Sequence, residues 1–164
     1  MANKVVSDTG PILHLSEVNL LKIINIFKPV IIPEEVEKEL IKNNIDIPRS
    51  IAVIKINPES KDTVKILTNQ YDLDLGEAEA IALVLQEKAA YFLTDDLEAR
   101  QVSKEYGIEV HGTVGIVLRA FREKIIDKKI ALEKIKELKA SSLFITQDLI
   151  DEVMKAIGEF RYYR

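Results

Sequence analysis

The sequence predicts an α/β fold in which a central, mostly parallel sheet is covered by helices on both faces. Short apolar runs of strand length alternate along the chain with longer segments in which apolar residues recur at helical spacing. This alternation is typical of βαβ units, whose strands lie parallel and are buried on both sides. The last predicted strand is followed only by helical segments. The predicted architecture is therefore a three-layer α/β/α sandwich with a helical C-terminal extension, and not a β-barrel.

Five short apolar runs are predicted to form the strands. Proline, glycine or aspartate flanks most of them, as expected where a strand ends and the chain turns. The first run is followed by Pro11, which the first turn of a helix tolerates. The predicted strands cover residues 4–7, 29–32, 51–56, 89–94 and 108–112.

The segments between these runs are predicted to be helices. One helical stretch, or two short helices, runs from the first strand to about Phe27. In the last helix, Ile150, Val153, Met154 and Ile157 recur at the spacing of one helix face. The other predicted helices cover residues 34–44, 61–71, 76–88, 96–107, 113–124 and 131–140.

Length and composition predict one domain, 1–164, with an α/β core over 1–125 and the helical extension over 126–164. A net charge of −4 gives no general attraction to nucleic acid, so a polyanionic partner would need a basic patch or a metal ion. No apolar run approaches the roughly 20 residues of a membrane-spanning helix. The chain has no cysteine, which excludes disulfides and thiolate metal sites. We expect a cytoplasmic protein that does not associate with membranes.

The tripeptide Asp8-Thr9-Gly10 is also the signature of aspartic proteases. Those enzymes are built almost entirely of strands, whereas here the tripeptide occurs once and leads into a predicted helix. The sequence therefore disfavours a protease.

Acidic residues follow two of the predicted strands. Asp8 ends the first strand, and Asp95 and Asp96 end the fourth. Ligands of open parallel sheets bind beyond the carboxyl ends of the strands, so these side chains are expected at one edge. Each could also be a helix cap or a turn residue, which is an equally good interpretation for any one of them alone.

Glu77 lies in the first turn of a predicted helix and shares a face with apolar residues. Ile81, Val84 and Leu85 follow it at helical spacing, and a carboxylate on a buried stripe must be paired, hydrogen-bonded or metal-bound. A capping box with Asp74 is the alternative, and the two interpretations are compatible.

Several carboxylates at one edge would repel one another and raise each other's pKa unless a cation neutralised them. With no cysteine, and with His14 and His111 far apart and better explained by packing or surface positions, zinc and copper are disfavoured. Oxygen ligands suit Mg²⁺ or Mn²⁺, which can activate water for phosphodiester hydrolysis.

Taken together, the ordered segments resemble the PIN-domain ribonuclease family, most strongly its small prokaryotic members, which include VapC-like toxins. The resemblance covers most of the chain, and it depends on the order of the segments more than on any one of them. The segments are VVSDTGPIL, IIPEEVEKEL, LGEAEAIALVL, FLTDDLEAR and GIEVHGTVGIVLRA.

The resemblance implies a set of acidic site residues, namely Asp8, Glu39, Glu77 and Asp96. The doubled aspartate keeps Asp95 as an alternative metal ligand. The helical wheel does not distinguish Glu37 from Glu39, so Glu39 is assigned by resemblance alone, against the alternative of a solvated helix face.

The resemblance also implies roles for these residues. Asp8, Glu77 and one or both aspartates of the pair would hold Mg²⁺ or Mn²⁺ directly or through water, and Glu39 would orient water or a second ion. Thr9 and Thr94 would hydrogen-bond ligands or phosphate. Arg100 and Lys88 would contact the RNA backbone, although solvated side chains are the simpler interpretation for both.

The implied function is metal-dependent endonucleolytic cleavage of single-stranded RNA by a toxin of a toxin–antitoxin pair. Expected partners are single-stranded RNA, an antitoxin protein and, from the apolar helices near both ends, a second copy in a homodimer. The main alternative is a catalytically lapsed PIN-like binding module. A phosphoacceptor domain would place its paired acids after the first strand, and an Asp-x-Asp phosphatase would need an acid at position 10, where the chain has Gly10.

Overall fold

The computed structural model describes residues 4–162, and the predicted domain, 1–164, extends beyond this range at both ends. Five strands form one sheet in the order β3-β2-β1-β4-β5, and every pair of neighbours is parallel. The predicted class, a parallel sheet between layers of helices, is confirmed. The strands are β1 (Val5–Ser7), β2 (Val30–Ile32), β3 (Ile51–Val53), β4 (Tyr91–Leu93) and β5 (Val110–His111).

The helices follow the predicted order, with small differences at their ends. The stretch before Phe27 divides into α1 and a short 3-10 helix, Leu21–Ile26. α3 begins three residues earlier than predicted because Asn57 caps it and Pro58 occupies its first turn. The α-helices are α1 (Thr9–Glu17), α2 (Glu34–Lys42), α3 (Pro58–Gln70), α4 (Leu75–Glu87), α5 (Leu97–Glu105), α6 (Thr113–Arg122), α7 (Lys128–Lys139) and α8 (Gln147–Glu159).

Successive residues of β1 point to opposite faces of the sheet and enter two separate apolar cores. Val5 packs with residues of α1, α2 and α6–α8 on one face. Val6 and Phe92 pack with residues of α3, α4 and α5 on the other face. The third predicted strand is shortened to Ile51–Val53, at the edge of the sheet, where Ala52 and Val53 are exposed.

The carboxyl ends of β1 and β4 lie side by side at the centre of the sheet. The chain leaves β1 at Asp8 and β4 at Thr94, and the two ends are joined by a backbone hydrogen bond of 2.8 Å from Asp8 N to Leu93 O. α1 and α5 both begin at this edge. Within residues 4–162, no helix is long and apolar enough to cross a membrane.

Candidate active site

Asp8 is the N-cap of α1 and is almost completely buried, with 7% of its surface exposed. One carboxylate oxygen accepts from Thr9 N at 2.9 Å, and the other accepts from the Thr94 hydroxyl at 3.0 Å. Burial is the main reason that the pKa of Asp8 is raised to about 7; the charges of Asp74 and Glu39 contribute to the rise, and the two hydrogen bonds oppose it. Asp8 is therefore a carboxylate whose negative charge is costly near neutral pH.

Glu39 reaches the same place from α2. Its carboxylate accepts a short hydrogen bond from the Thr9 hydroxyl. Burial raises its pKa, Asp74 adds to the effect, and the bond from Thr9 opposes it. Gly76 of α4 makes room, because a Cβ there would lie only 3.0 Å from the carboxyl carbon of Glu39. The structure thus directs Glu39, and not Glu37, towards Asp8.

Glu77 forms the predicted capping box with Asp74, which is confirmed. Asp74 accepts from Glu77 N at 2.8 Å, and Glu77 accepts from Asp74 N at 3.1 Å. The pKa of Glu77 is raised to about 8, first by burial and then by the charges of Asp74, Asp96 and Asp8. Of the apolar partners that the helical wheel proposed, Ile81 and Val84 are buried, whereas Leu85 is 40% exposed. Glu77 therefore caps its helix and faces the other acids at the same time.

Asp96 and Thr94 complete this group at the end of β4. Asp96 is the N-cap of α5, and one of its oxygens accepts from Ala99 N at 2.7 Å. Thr94 is fully buried; its hydroxyl donates to Asp8 and accepts from Asp96 N at 3.2 Å. Thr94 thus ties the two acidic strand ends together and does not itself line the cleft described below.

Asp95 differs from Asp96 in how its oxygens are used. Thr113, at the start of α6, donates to both of them, from its backbone N at 2.7 Å and from its hydroxyl at 2.5 Å. His14 Nε2 lies 3.8 Å from the same carboxylate. Asp95 thereby joins the end of β4 to α6, and within residues 4–162 Asp96 retains one oxygen without a hydrogen-bond partner.

All these acids line one open cleft of about 880 Å³. Among residues 4–162, seven carboxylates contribute to its wall, and no lysine or arginine does. One side is apolar and is formed by Leu97 and by residues of the loop between α7 and α8. The lining residues are Asp8, Thr9, Gly10, His14, Glu39, Asp74, Glu77, Asp95, Asp96, Leu97, Glu98, Leu143, Phe144, Ile145, Thr146 and Leu149.

The predicted basic contacts lie outside this cleft. Arg100 lines a neighbouring pocket of about 220 Å³, where it packs beside Gly112. Lys88 is the C-cap of α4, at the opposite end of that helix from Glu77. Of the residues predicted to contact substrate, only Thr9 faces the cleft directly.

A family model described as a PIN domain, DUF3368, matches residues 4–159 of this chain. The chain belongs to the PIN-domain family. PIN domains are generally nucleases that act on RNA and use divalent metal ions. The chain is also similar to a PilT N-terminus domain protein from the hyperthermophilic archaeon Sulfolobus solfataricus, with 14% identity, 98% of each chain covered and a TM-score of 0.46. No curated protein matches the chain.

The donor atoms of this PIN domain fit a hard divalent ion. Among residues 4–162, no three Asp, Glu or His side chains stand ready-arranged as a complete metal cage. Mg²⁺ does not need one, because it usually keeps several waters and binds through one or two carboxylates and substrate phosphate. The acids of the cleft offer oxygen donors only, and His14, the histidine in its wall, is hydrogen-bonded to Ser142 at 3.1 Å. The donor chemistry suits Mg²⁺ or Mn²⁺ better than zinc.

Sequence reasoning did not find three residues that shape the site of this PIN domain. Gly76 lies within a helical sequence pattern, and nothing near it in the sequence indicates that the Glu39 side chain of α2 occupies the space beside it. The sequence predicts a packing or surface position for His14, whereas in the structure this side chain lines the cleft. Phe144 lies far along the chain in a stretch without periodicity, and only the tertiary fold brings it to the cleft.

Proposed function

We propose that this PIN domain is a metal-dependent endoribonuclease that hydrolyses phosphodiester bonds of single-stranded RNA. The observation that carries the proposal is that Asp8, Glu39, Glu77 and Asp96, from four separate elements, line one cleft to which no lysine or arginine of residues 4–162 contributes. Burial and mutual repulsion raise the pKa of Asp8 and of Glu77, so a cation would relieve an existing electrostatic cost.

The acidic residues would have different roles, which follow from their positions in the cleft. Asp8, Glu77 and Asp96 would hold Mg²⁺ or Mn²⁺ directly or through water, and Asp95 is the alternative ligand at the end of β4. When bound, the ion supplies charge neutralisation at the scissile phosphate and lowers the pKa of bound water. Glu39 would orient an attacking water, because its hydrogen bond with Thr9 fixes its carboxylate beside Asp8.

Fewer residues would contact substrate in the cleft than the sequence predicts. Thr9 faces the cleft, where its hydroxyl donates to Glu39 and its oxygen can still accept a hydrogen bond from a ligand such as water. Thr94 would act by holding Asp8. Arg100 would meet the RNA only beyond the cleft, in the adjoining pocket.

The finer biological assignment is that of a cytoplasmic toxin with a protein antitoxin, active as a homodimer. It is supported by the resemblance of the five sequence segments to small prokaryotic PIN proteins, which include VapC-like toxins, although the last two segments are more similar to an uncharacterised PIN subgroup than to the best-studied toxins. Size-exclusion chromatography with light scattering tests the dimer. A small neighbouring reading frame whose product binds this protein and blocks RNA cleavage would support the antitoxin.

A binding module without catalysis is the second candidate. It is favoured by one observation: within residues 4–162 the acids already serve as helix caps and form no ready-made three-ligand cage. Such a module would bind its partner without needing a divalent ion.

Cleavage of a labelled single-stranded RNA tests both candidates. We expect cutting with Mn²⁺ or Mg²⁺ and none with EDTA. Asp8→Asn, Glu39→Gln, Glu77→Gln and Asp96→Asn should each reduce the rate roughly 100-fold or more, at or above the usual cost of disturbing a metal site.

Two controls on the same helices make the test specific. Glu37→Gln on α2 and Glu79→Gln on α4 remove carboxylates that do not line the cleft, so they should leave the rate nearly unchanged. Equal losses in Glu37→Gln and Glu39→Gln would contradict the assignment of Glu39. A protein that binds no divalent ion at millimolar concentration and cuts no RNA would leave only the binding module.

A further inference from the structure

Phe144 is an aromatic side chain that stands at the rim of the acidic cleft and is 88% exposed. It lies in the loop between α7 and α8. Leu97, 79% exposed at the start of α5, and Leu149 of α8 lie on the same side of the cleft. Exposed apolar side chains gathered at a concave site commonly mark a binding surface.

The loop holds Phe144 in place although the side chain itself faces solvent. Its neighbours on both sides, Leu143 and Ile145, are buried in the core. Ser142 donates from its backbone N to Glu17 of α1 at 3.1 Å, and its hydroxyl donates to the same carboxylate. The backbone that carries Phe144 is therefore already held by its neighbours, so binding a ligand needs to order only the ring.

The charge of the cleft limits how RNA can be bound there. Within the part of the chain that the structure describes, its wall carries seven carboxylates and no lysine or arginine, so no ammonium or guanidinium group of these residues meets a phosphate inside it. A bound divalent ion can hold one phosphate. The bases offer a further source of affinity, because their flat faces suit the exposed ring of Phe144.

A second pocket adjoins the cleft, and Phe144 lines both of them. It shares Leu97, Phe144 and Leu149 with the cleft, and it includes Arg100. A strand that extends from the acidic cleft into this pocket would meet the guanidinium group of Arg100, which can bind a phosphate.

We propose that Phe144 stacks on an unpaired nucleobase of the RNA and thereby selects single-stranded substrate. The proposal deepens the ribonuclease function and rests on it. Only a base that is free of its own helix offers a face to the ring, so duplex RNA cannot use this contact. Stacking tolerates any base, so Phe144 selects for unpaired structure and not for sequence.

Steady-state cleavage of single-stranded RNA by Phe144→Ala and Phe144→Trp tests the stacking contact. The alanine variant should raise KM roughly tenfold with little change in kcat, as expected for the loss of one stacked base, and tryptophan should restore KM. Ile41→Ala removes another exposed side chain, 61% exposed on α2 and away from the cleft, and should change neither constant.

Two further measurements separate stacking from a general structural effect. An RNA with an abasic site at the stacked position should show the same rise in KM with the wild type and no additional rise with Phe144→Ala. Binding to the Asp8→Asn variant should quench the fluorescence of a single-stranded RNA that carries 2-aminopurine. Binding to the double variant Asp8→Asn, Phe144→Ala should not quench it.

The outcomes distinguish this inference from the function on which it rests. If RNA is cut but KM responds neither to Phe144→Ala nor to the abasic site, stacking is refuted and the nuclease stands. If no RNA is cut but quenching depends on Phe144, stacking is supported and the nuclease is refuted. If Phe144→Ala leaves KM unchanged but abolishes self-association, the ring contacts protein and the inference is overturned.

Discussion

Asp8→Asn should stabilise the metal-free protein at pH 8 and have little effect on its stability at pH 4. Asparagine keeps the shape of the side chain and is as good an N-cap as aspartate, so α1 should retain its start. The Thr94 hydroxyl can accept from the new amide because a hydroxyl both donates and accepts. The substitution therefore removes mainly the buried negative charge.

The size of the effect follows from the pKa of Asp8, which burial raises from 3.8 to about 7. Because the folded pKa lies above the unfolded one, the stability from this group is fully present below pH 3.8 and is lost as pH rises through 7. Between those limits the free energy of unfolding of the wild type falls by about 4 kcal/mol because of this group. The variant has no titrating group at this position, so its free energy of unfolding does not fall in this way. Allowing for imperfect hydrogen bonds, the variant should be about 2–4 kcal/mol more stable at pH 8.

Urea unfolding and thermal melts in EDTA at both pH values measure this difference. For a chain of this size, the gain at pH 8 corresponds to a rise in Tm of about 5–15 °C. Asp62→Asn, which neutralises an exposed aspartate of α3, should change the free energy of unfolding by less than about 0.5 kcal/mol. The electrostatic account would be refuted if the difference in free energy of unfolding between Asp8→Asn and wild type were equal at pH 4 and pH 8. It would also be refuted if the variant were less stable than wild type at pH 8.

Three more predictions concern the same cleft. Mg²⁺ or Mn²⁺ should raise the Tm of the wild type at pH 8 more than at pH 5, and EDTA should reverse the rise; equal shifts at both pH values in differential scanning fluorimetry would contradict a carboxylate site. Gly76→Ala should reduce RNA cleavage by displacing Glu39, even though alanine favours a helix by about 1 kcal/mol, and cleavage at the wild-type rate would show that the space beside Gly76 is not needed. Asp95→Asn should destabilise the fold by about 1–2 kcal/mol through its bonds to Thr113, whereas Asp96→Asn should mainly abolish cleavage; the reverse pattern in melts and cleavage assays would exchange their roles.

Some of the candidate site could be predicted because it follows from sheet topology. In a parallel sheet the carboxyl ends of the strands share one edge, so Asp8 and the Asp95–Asp96 pair could be predicted to lie along that edge, and the strand order, in which β1 and β4 are neighbours, brings them together. Glu77 could be predicted from helical periodicity, which placed it on the buried face of α4. These inferences need only local patterns and one general rule of packing.

Other features depend on contacts between distant segments, which leave no local pattern. Glu39 enters the cleft because α2 packs on α4 at the point where Gly76 lacks a side chain. Asp95 and Asp96 are neighbours in the turn after β4, and what separates their roles is the position of Thr113, eighteen residues beyond Asp95. The irregular connection between β4 and α5 has no periodicity, so the direction of its side chains cannot be derived from the sequence.

The capping and metal-binding interpretations of these acids describe one arrangement. Asp8 and Asp96 cap α1 and α5, and Asp74 with Glu77 caps α4, so three helix N-termini point towards the same cleft. The partial positive charge at a helix N-terminus stabilises a nearby carboxylate, which lets the acids stand together in the metal-free protein. A carboxylate has about four lone-pair sites, and a cap uses only one or two of them. The oxygens that remain can face a divalent ion without uncapping a helix, so metal binding need not be opposed by helix stability.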